Sequence, residues 1–327
     1  MHRTLSARHH RFVLKEPFRI ARGVKTAADV VTVEITSNAA TGRGEGVPYA
    51  RYGETIESVL AQVEMARSAI EGGADRDALQ KLLEPGAARN AIDCALWDLE
   101  ARESGIRVHS RLGDPPIGPV RSALTIGIDT PAAMAQAASR LGQVPLLKVK
   151  VGADDPAAII RAVRNAAPGA ALIVDPNESW DEALVRQMAP LLVECRVDVL
   201  EQPVPAGQDG WLAGYVSPVP ICADESVHVM GDLEFVASCY DAVNVKLDKA
   251  GGLTAALALA HATRRCGLKL MSGCMVCSSL GIAPALHIAR MADWTDLDGP
   301  IWLMKDRPGG VRDANGYLFP PVEGFWG

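Results

Sequence analysis

The most constraining feature of this chain is a repeat. From Leu146 to Gly299, short apolar runs recur and each ends in a charged or polar cluster: Leu146-Leu-Lys148-Val-Lys150, Leu172-Ile-Val-Asp175-Pro-Asn177, Val197-Asp-Val-Leu-Glu201-Gln, Ile221-Cys-Ala-Asp224-Glu225, Ala242-Val-Asn244-Val-Lys246, Leu268-Lys-Leu-Met-Ser272-Gly and Trp294-Thr-Asp296-Leu-Asp298-Gly. The clusters fall at 150, 175, 201, 224, 246, 272 and 298, with gaps of 25, 26, 23, 22, 26 and 26 residues. A β-branched run followed by an Ala/Leu-rich stretch reads as strand, loop and helix. Nearly continuous apolar runs are the habit of parallel strands buried on both faces. Reactive residues at the C-terminal end of every strand point to a (β/α) barrel, whose strand ends converge on one mouth. A doubly wound open sheet is the competing topology, and it gathers ligands at a single switch point.

The first 117 residues do not follow the repeat. Val30–Thr36 reads as a strand and Gly42-Arg-Gly-Glu-Gly-Val-Pro as a turn leading into a second one. Residues 55–69 and 87–103 read as helices, the second with an apolar stripe at Ala91, Ile92, Ala95, Leu96 and Leu99. The expected organisation is therefore an α+β capping domain over residues 1–117, a linker near Gly113–Pro119, and a barrel over 118–299 whose first strand is Val120–Ile128. The segment 300–327 is expected to return to the first domain.

Composition narrows the class of function. The net charge of −6 and the absence of a Lys/Arg-dense run argue against nucleic acid. No export-type apolar segment and no run of ~18 apolar residues occur, so a membrane partner is not expected. Seven cysteines, an odd number, are consistent with a reduced, cytoplasmic setting.

Asp175, Glu201 and Asp224 supply one carboxylate from each of three successive strands, a facial set suited to a hard divalent cation such as magnesium. Capping of the next helix or pairing with a lysine is the alternative use of such groups. Lys148 and Lys150 are two apart on one strand and share a face. Two ammonium groups so placed disfavour each other's charge, which predicts a depressed pKa for at least one and a lysine able to act as a base. Lys246, four strands on, faces the same interior from the opposite side. Asp296 and Asp298 place two carboxylates on one face of the last strand, where a substrate ammonium would meet them. Asp248 and Lys249 can contact substrate or pair with each other. Cys274-Met-Val-Cys277 has Cys-x-x-Cys spacing without a second pair, so Cys274 reads as a pocket-lining residue and not as a zinc ligand.

Together, Lys148-Val-Lys150, Asp175-Pro-Asn177, Glu201-Gln-Pro203, Ala223-Asp224-Glu225-Ser226 and Lys246-Leu-Asp-Lys-Ala-Gly-Gly252 resemble the muconate-lactonizing branch of the enolase superfamily. The resemblance implies a modified (β/α)7β barrel with one Mg²⁺ per subunit on Asp175, Glu201 and Asp224, and with Asn177 and Glu225 beside these ligands. It also implies abstraction of a proton α to a carboxylate; sites of this superfamily combine a Lys or His base with Mg²⁺. Lysines on both faces, Lys150 and Lys246, favour 1,1-proton transfer.

Gly86-Ala-Ala-Arg-Asn-Ala, Asn177-Glu-Ser-Trp180, Gly273-Cys-Met and Asp296-Leu-Asp-Gly-Pro300 resemble the bacterial dipeptide epimerases. That likeness implies an L-Ala-Glu dipeptide of the kind released from peptidoglycan. Its ammonium would lie on Asp296 and Asp298, its carboxylate near Lys148, and Thr125 in contact with it. The loop Phe18-Arg19-Ile-Ala-Arg22-Gly-Val-Lys25 reads as a glycine-hinged cover supplying Arg22, with Lys25 as rival, to the distal carboxylate. Tyr49, Arg51 and Tyr52 are a second contributor to such a lid. Racemisation of N-acyl amino acids on the same site, a ligand-binding barrel without turnover, and a Schiff-base aldolase are the alternatives. Helices of such barrels often associate, so a homo-oligomer is possible.

Overall fold

The computed structural model describes residues 3–21, 23–38 and 40–327. Strands β1 (Arg3–Ile20), β2 (Gly23–Ser37) and β3 (Ala40–Gly46) form an antiparallel sheet in that order, followed by α1 (Ile56–Glu71), α2 (Arg76–Leu82) and α3 (Ala87–Ser104). Thr55 and Ser58 start α1 with a reciprocal capping box. Alternating Val31, Val33 and Ile35 of β2 pack with Val59, Val63 and Ile70 of α1 and the alanines of α3 in one core.

The Gly42-x-Gly44-x-Gly46 stretch is not the turn its composition predicts. It is strand β3, laid directly on α3: a Cβ at Gly42, Gly44 or Gly46 would lie 2.1, 2.0 and 2.1 Å from the carbonyl oxygens of Ala95, Ala91 and Ala87. Two strand residues advance ~6.8 Å and four helical residues ~6.0 Å, so glycines at a period of two match alanines at a period of four. The expected loop between Pro17 and Thr26 is likewise the tip of a β-hairpin, with Phe18 opposite Lys25 and Ile20 opposite Gly23.

After the short helix α4 (Val108–Arg111) the expected first barrel strand is split. β4 (Val120–Arg121) pairs with a strand near the C-terminus, and only β5 (Leu124–Ile126) joins the barrel. The chain then runs α5 (Pro131–Leu141), β6 (Leu146–Lys150), α6 (Pro156–Ala166), β7 (Ala171–Asp175), α7 (Glu182–Glu194), β8 (Val199–Glu201) and β9 (Ile221–Ala223). It continues through α8 (Leu233–Cys239), β10 (Ala242–Val245), α9 (Leu247–Ala250), α10 (Leu253–Arg265), β11 (Lys269–Gly273), α11 (Ser279–Ala289) and β12 (Trp294–Asp296). Strands β5 to β12 form one eight-stranded parallel sheet in sequence order. Ala123 N donates to Thr295 O at 2.7 Å, joining its two ends. Between β8 and β9, where Pro203, Pro205, Gly207 and Gly210 interrupt any helical pattern, a 3₁₀ turn at Gly210–Gly214 replaces the helix.

The tail forms β13 (Arg312–Ala314) and β14 (Tyr317–Phe319), which pairs with β4. It ends on the cap: Trp326 Nε1 donates to Arg43 O at 3.0 Å and Gly327 N to Asp98 at 2.8 Å. Among the described residues no helix is long and apolar enough to cross a membrane.

Candidate active site

The site follows from strand alternation. Ala123, Leu146, Ile173, Val199, Cys222, Ala242, Met271 and Trp294, one residue from each barrel strand or its start, close into a single buried apolar plug. Two positions further along each run, on the same face, stand Thr125, Lys148, Asp175, Glu201, Asp224, Asn244, Gly273 and Asp296. Two positions further again come Lys150, Lys246 and Asp298. The plug excludes water from below, so this polar floor is desolvated: Lys148, Asp175, Glu201 and Asp224 are all at most 2% exposed.

Lys148 Nζ sits at the centre, 3.0 Å from Asp175, 2.7 Å from Glu201 and 2.8 Å from Asp296. Lys150 reaches Asp175 from one side at 2.5 Å, and Lys246 reaches Asp224 from the other at 2.7 Å. Lys249 holds the second oxygen of Asp224 at 2.6 Å. Of the pair whose spacing predicts a depressed lysine pKa, Lys148 goes the other way, and so does Lys246 across the site. Burial works against both charges, yet Asp175, Asp296 and Glu201 around Lys148, and Asp224 beside Lys246, hold both well above the ordinary lysine value. Burial is likewise overcome at Asp175 by Lys148 and Lys150 and at Asp224 by Lys246 and Lys249, so both carboxyls stay low. Glu201 goes the other way: burial pushes it up to about 7, with Asp175 and Asp224 adding to the rise, despite the contact with Lys148.

Two residues to which the sequence assigned no role in the site complete the floor. Asn244 donates to Glu201 Oε1 at 2.9 Å. Gly273 makes room for it, since a Cβ there would lie 2.5 Å from the Asn244 side-chain oxygen. The only sequence signal was their place in the same alternation. Gln202, just past β8, fixes the end of the next strand by accepting from Asp224 N at 2.8 Å.

Asp298 is buried, and burial and then the neighbouring Asp296 push its carboxyl up to about 6. Its donors are neutral: Thr125 N at 2.7 Å and Trp302 Nε1 at 3.2 Å. Asp296 gives one oxygen to Lys148, while the other is buried with no hydrogen-bond partner.

The pocket above the floor is lined by Thr125, Lys148, Lys150, Lys246, Asp296 and Asp298, with Asn177, Glu225 and Cys274 on its walls. The cap contributes Phe18, Ile20, Lys25, Tyr49 and Tyr52. Lys25 Nζ lies 4.9 Å over the Tyr49 ring. Arg22, the other cation expected here, lies outside the described residues. Arg51 clasps Glu178 of the barrel through two 2.9 Å bonds. Asp248 and Lys249 do not pair: Lys249 bonds Asp224, and Asp248 turns to the cap.

Among the described residues no three His, Cys, Asp or Glu side chains close into a metal cage as they stand. The donor set nonetheless fits a hard cation. Asp175, Glu201 and Asp224 are three buried carboxylates from consecutive strands, and Glu201 Oε2, 2.7 Å from the Lys148 ammonium, accepts no aligned hydrogen bond.

Residues 2–113 match the family of mandelate racemase / muconate lactonizing enzyme N-terminal domains, and residues 131–323 match the enolase C-terminal domain-like family. The chain belongs to this family. An L-Ala-D/L-Glu epimerase of Escherichia coli K12 is 44% identical over 97% of this chain and 99% of its own. An N-acetyl-D-glutamate racemase of a Pseudoalteromonas species is 40% identical over 91% and 95%. A solved enolase family member from Agrobacterium tumefaciens, with homology to dipeptide epimerases and with bound sodium and L-Ala-L-Glu, is 45% identical. It superposes with a TM-score of 0.97 over 99% of this chain and 100% of its own. Dipeptide epimerases solved with Mg and a dipeptide superpose at 0.89 to 0.92. The expected barrel and family are borne out, and the chain is an isomerase of the racemase and epimerase kind.

Proposed function

We propose that this protein interconverts L-Ala-L-Glu and L-Ala-D-Glu by 1,1-proton transfer at the Glu α-carbon, with one Mg²⁺ per subunit on Asp175, Glu201 and Asp224. In this reading residues 1–117, joined by 300–327, cap the catalytic barrel of 118–299. The protein works in the cytoplasm on small dipeptides released from peptidoglycan. Lys150 and Lys246 stand on opposite sides of the substrate: one removes the α-proton and the other delivers a proton to the opposite face. When bound, Mg²⁺ supplies positive charge to the substrate carboxylate and stabilises the charge that develops as the α-proton leaves. Lys148 adds a fixed positive charge beside it, Thr125 contacts the peptide, Cys274 walls the pocket, and Asn177 and Glu225 flank the metal ligands. Arg22 and Lys25 are the proposed cations for the distal carboxylate, and Lys25 stands on the hairpin opposite Phe18.

The observation that carries the substrate reading is Asp298. A buried carboxyl raised to about 6, whose donors Thr125 N and Trp302 Nε1 are neutral and whose neighbour is Asp296, is a site that calls for a cation. The free ammonium of a dipeptide supplies one; an N-acyl group does not. Racemisation of N-acetylglutamate is the second reading, favoured by the 40% identical relative. Initial rates on L-Ala-L-Glu and on both N-acetylglutamate antipodes, with Mg²⁺ and with EDTA, test the choice. Metal-dependent turnover of the dipeptide far above the N-acetyl compounds is expected; the reverse preference would contradict the dipeptide reading.

A further inference from the structure

The two lysines are anchored differently. Lys150 is the last residue of β6, in register with Asp175 of β7, and Val151 N continues the ladder to Asp175 O at 3.1 Å. Lys246 lies one residue past the end of β10, and its carbonyl opens the one-turn helix α9 by accepting from Ala250 N at 3.0 Å. Its backbone therefore depends on where that turn is held.

The turn is held from the barrel side by Lys249, whose Nζ donates to Asp224 Oδ1 at 2.6 Å and Asn244 O at 3.1 Å, and from the other side by the cap. Asp248 Oδ1 accepts from Val47 N at 2.8 Å and from Asn90 Nδ2 at 2.7 Å, both cap groups. Asn90 is tied in turn to Glu45 O at 3.1 Å. Arg89 donates to Ala250 O at 2.7 Å and Gly251 O at 3.1 Å. Asp93 accepts from Thr254 N at 2.9 Å, and Trp97 Nε1 donates to Thr254 Oγ1 at 3.0 Å. Residues 89, 90, 93 and 97 share one face of α3. The turn approaches that face so closely that a Cβ at Gly251 or Gly252, both at positive φ, would lie 2.4 Å from Arg89 Nε or 2.5 Å from Asp93 Cβ. None of these four α3 residues, nor Asp248, lines the pocket.

We propose that Asp248, gripped by Val47 and Asn90, is a positioning residue for Lys246, so that the cap sets the aim of one base of the pair and leaves the other to the barrel. The proposal rests on the two-lysine reading above. Proton transfer requires the nitrogen within hydrogen-bond reach of the α-proton, and a shift of ~1 Å in a reacting group costs on the order of a hundredfold. Removing the acceptor also leaves the Val47 N–H without its partner. Such a shift acts on one antipode of the substrate, the one whose α-proton faces Lys246. Loosening of Asp224 through Lys249 of the same turn would instead slow both antipodes alike.

The test is α-deuteration of L-Ala-L-Glu and of L-Ala-D-Glu, measured separately in D₂O with Mg²⁺, for wild type, Lys150→Ala, Lys246→Ala, Asp248→Ala and Asp248→Asn. Lys246→Ala and Lys150→Ala identify which antipode belongs to which lysine. Asp248→Ala is expected to slow exchange of the Lys246 antipode about tenfold or more while leaving the other within about threefold. Asp248→Asn keeps a carbonyl oxygen able to accept both cap bonds, and it is expected to restore the balance. If Asp248→Ala does not fold, Asn90→Ala, which removes one of the two donors, is read in its place with the same asymmetry expected. Equal slowing of both antipodes, or no slowing, would overturn the positioning role while leaving the dipeptide reading intact. A wild type that exchanges neither antipode would overturn the dipeptide reading and the inference with it.

Discussion

The flank of the site that carries Lys150 and the flank that carries Lys246 solve one problem by different means. On the first, the lysine belongs to a strand, and five consecutive register pairs from Leu146 to Lys150 hold it against β7. On the second, the lysine stands beyond its strand, and the turn behind it is fixed by side chains of another layer of the molecule. A base built into a ladder inherits its position from regular secondary structure. A base built onto a turn inherits it from tertiary contacts, which under the proposed two-lysine reading makes the cap part of the machinery.

Five substitutions would break or sharpen this contrast. The largest effect is expected from Lys150→Ala or Lys246→Ala. Each should reduce epimerisation by on the order of a thousandfold or more, while each retains deuterium exchange with one antipode only, read by ¹H NMR. Loss of exchange with both antipodes in either variant would remove the division of labour between the flanks. Next comes Asp298→Asn, on neither flank, which should lower kcat/KM for L-Ala-L-Glu by roughly 10- to 100-fold by removing a charge-assisted bond to the ammonium. It should act on both antipodes equally and spare any N-acetylglutamate turnover, as a steady-state comparison of the substrates would show.

A smaller effect belongs to pH. Burial raises Asp248 to about 7 and Asp93 to about 6 in the folded protein. Between about pH 4 and those values the folded chain binds more protons than the unfolded one, so these groups take stability away as pH rises through that window. Asp248→Asn has no such group, and its Tm relative to wild type should climb by a few degrees from about pH 4 to 7; a flat difference would contradict it. The smallest effect is expected at the clasp between Arg51 and Glu178. The arginine side chain is 40% exposed, so Glu178→Gln should cost at most about 1 kcal/mol in denaturant unfolding. It should slow neither antipode selectively.

The same contrast explains what could be read from the chain. Residues on the barrel strands were legible because alternation is local: once Lys150 and Asp175 end their runs, the face they share follows from a period of two. The grip on Lys246 was not. Ala91, Ile92, Ala95 and Leu96 advertise α3 as an apolar helix, while Arg89, Asn90 and Asp93 on its other face look like solvated polar residues until the turn at Leu247–Ala250 is laid against them. Gly42, Gly44 and Gly46 carry the commonest turn signal, and only the nearness of α3 turns it into a requirement for strand. No Gly or Pro separates Val120 from Leu124 to mark a break, yet hydrogen bonds to the C-terminal strand take Val120–Arg121 away. Asn244 and Gly273 needed each other to be recognised, since each explains the other's size.

The most direct test of the account is ¹H NMR of L-Ala-L-Glu with the full chain and Mg²⁺ in D₂O. The account predicts that the Glu α-proton signal disappears and deuterated L-Ala-D-Glu accumulates, with EDTA abolishing both. Persistence of the α-proton signal under conditions where N-acetylglutamate is deuterated and racemised would contradict it.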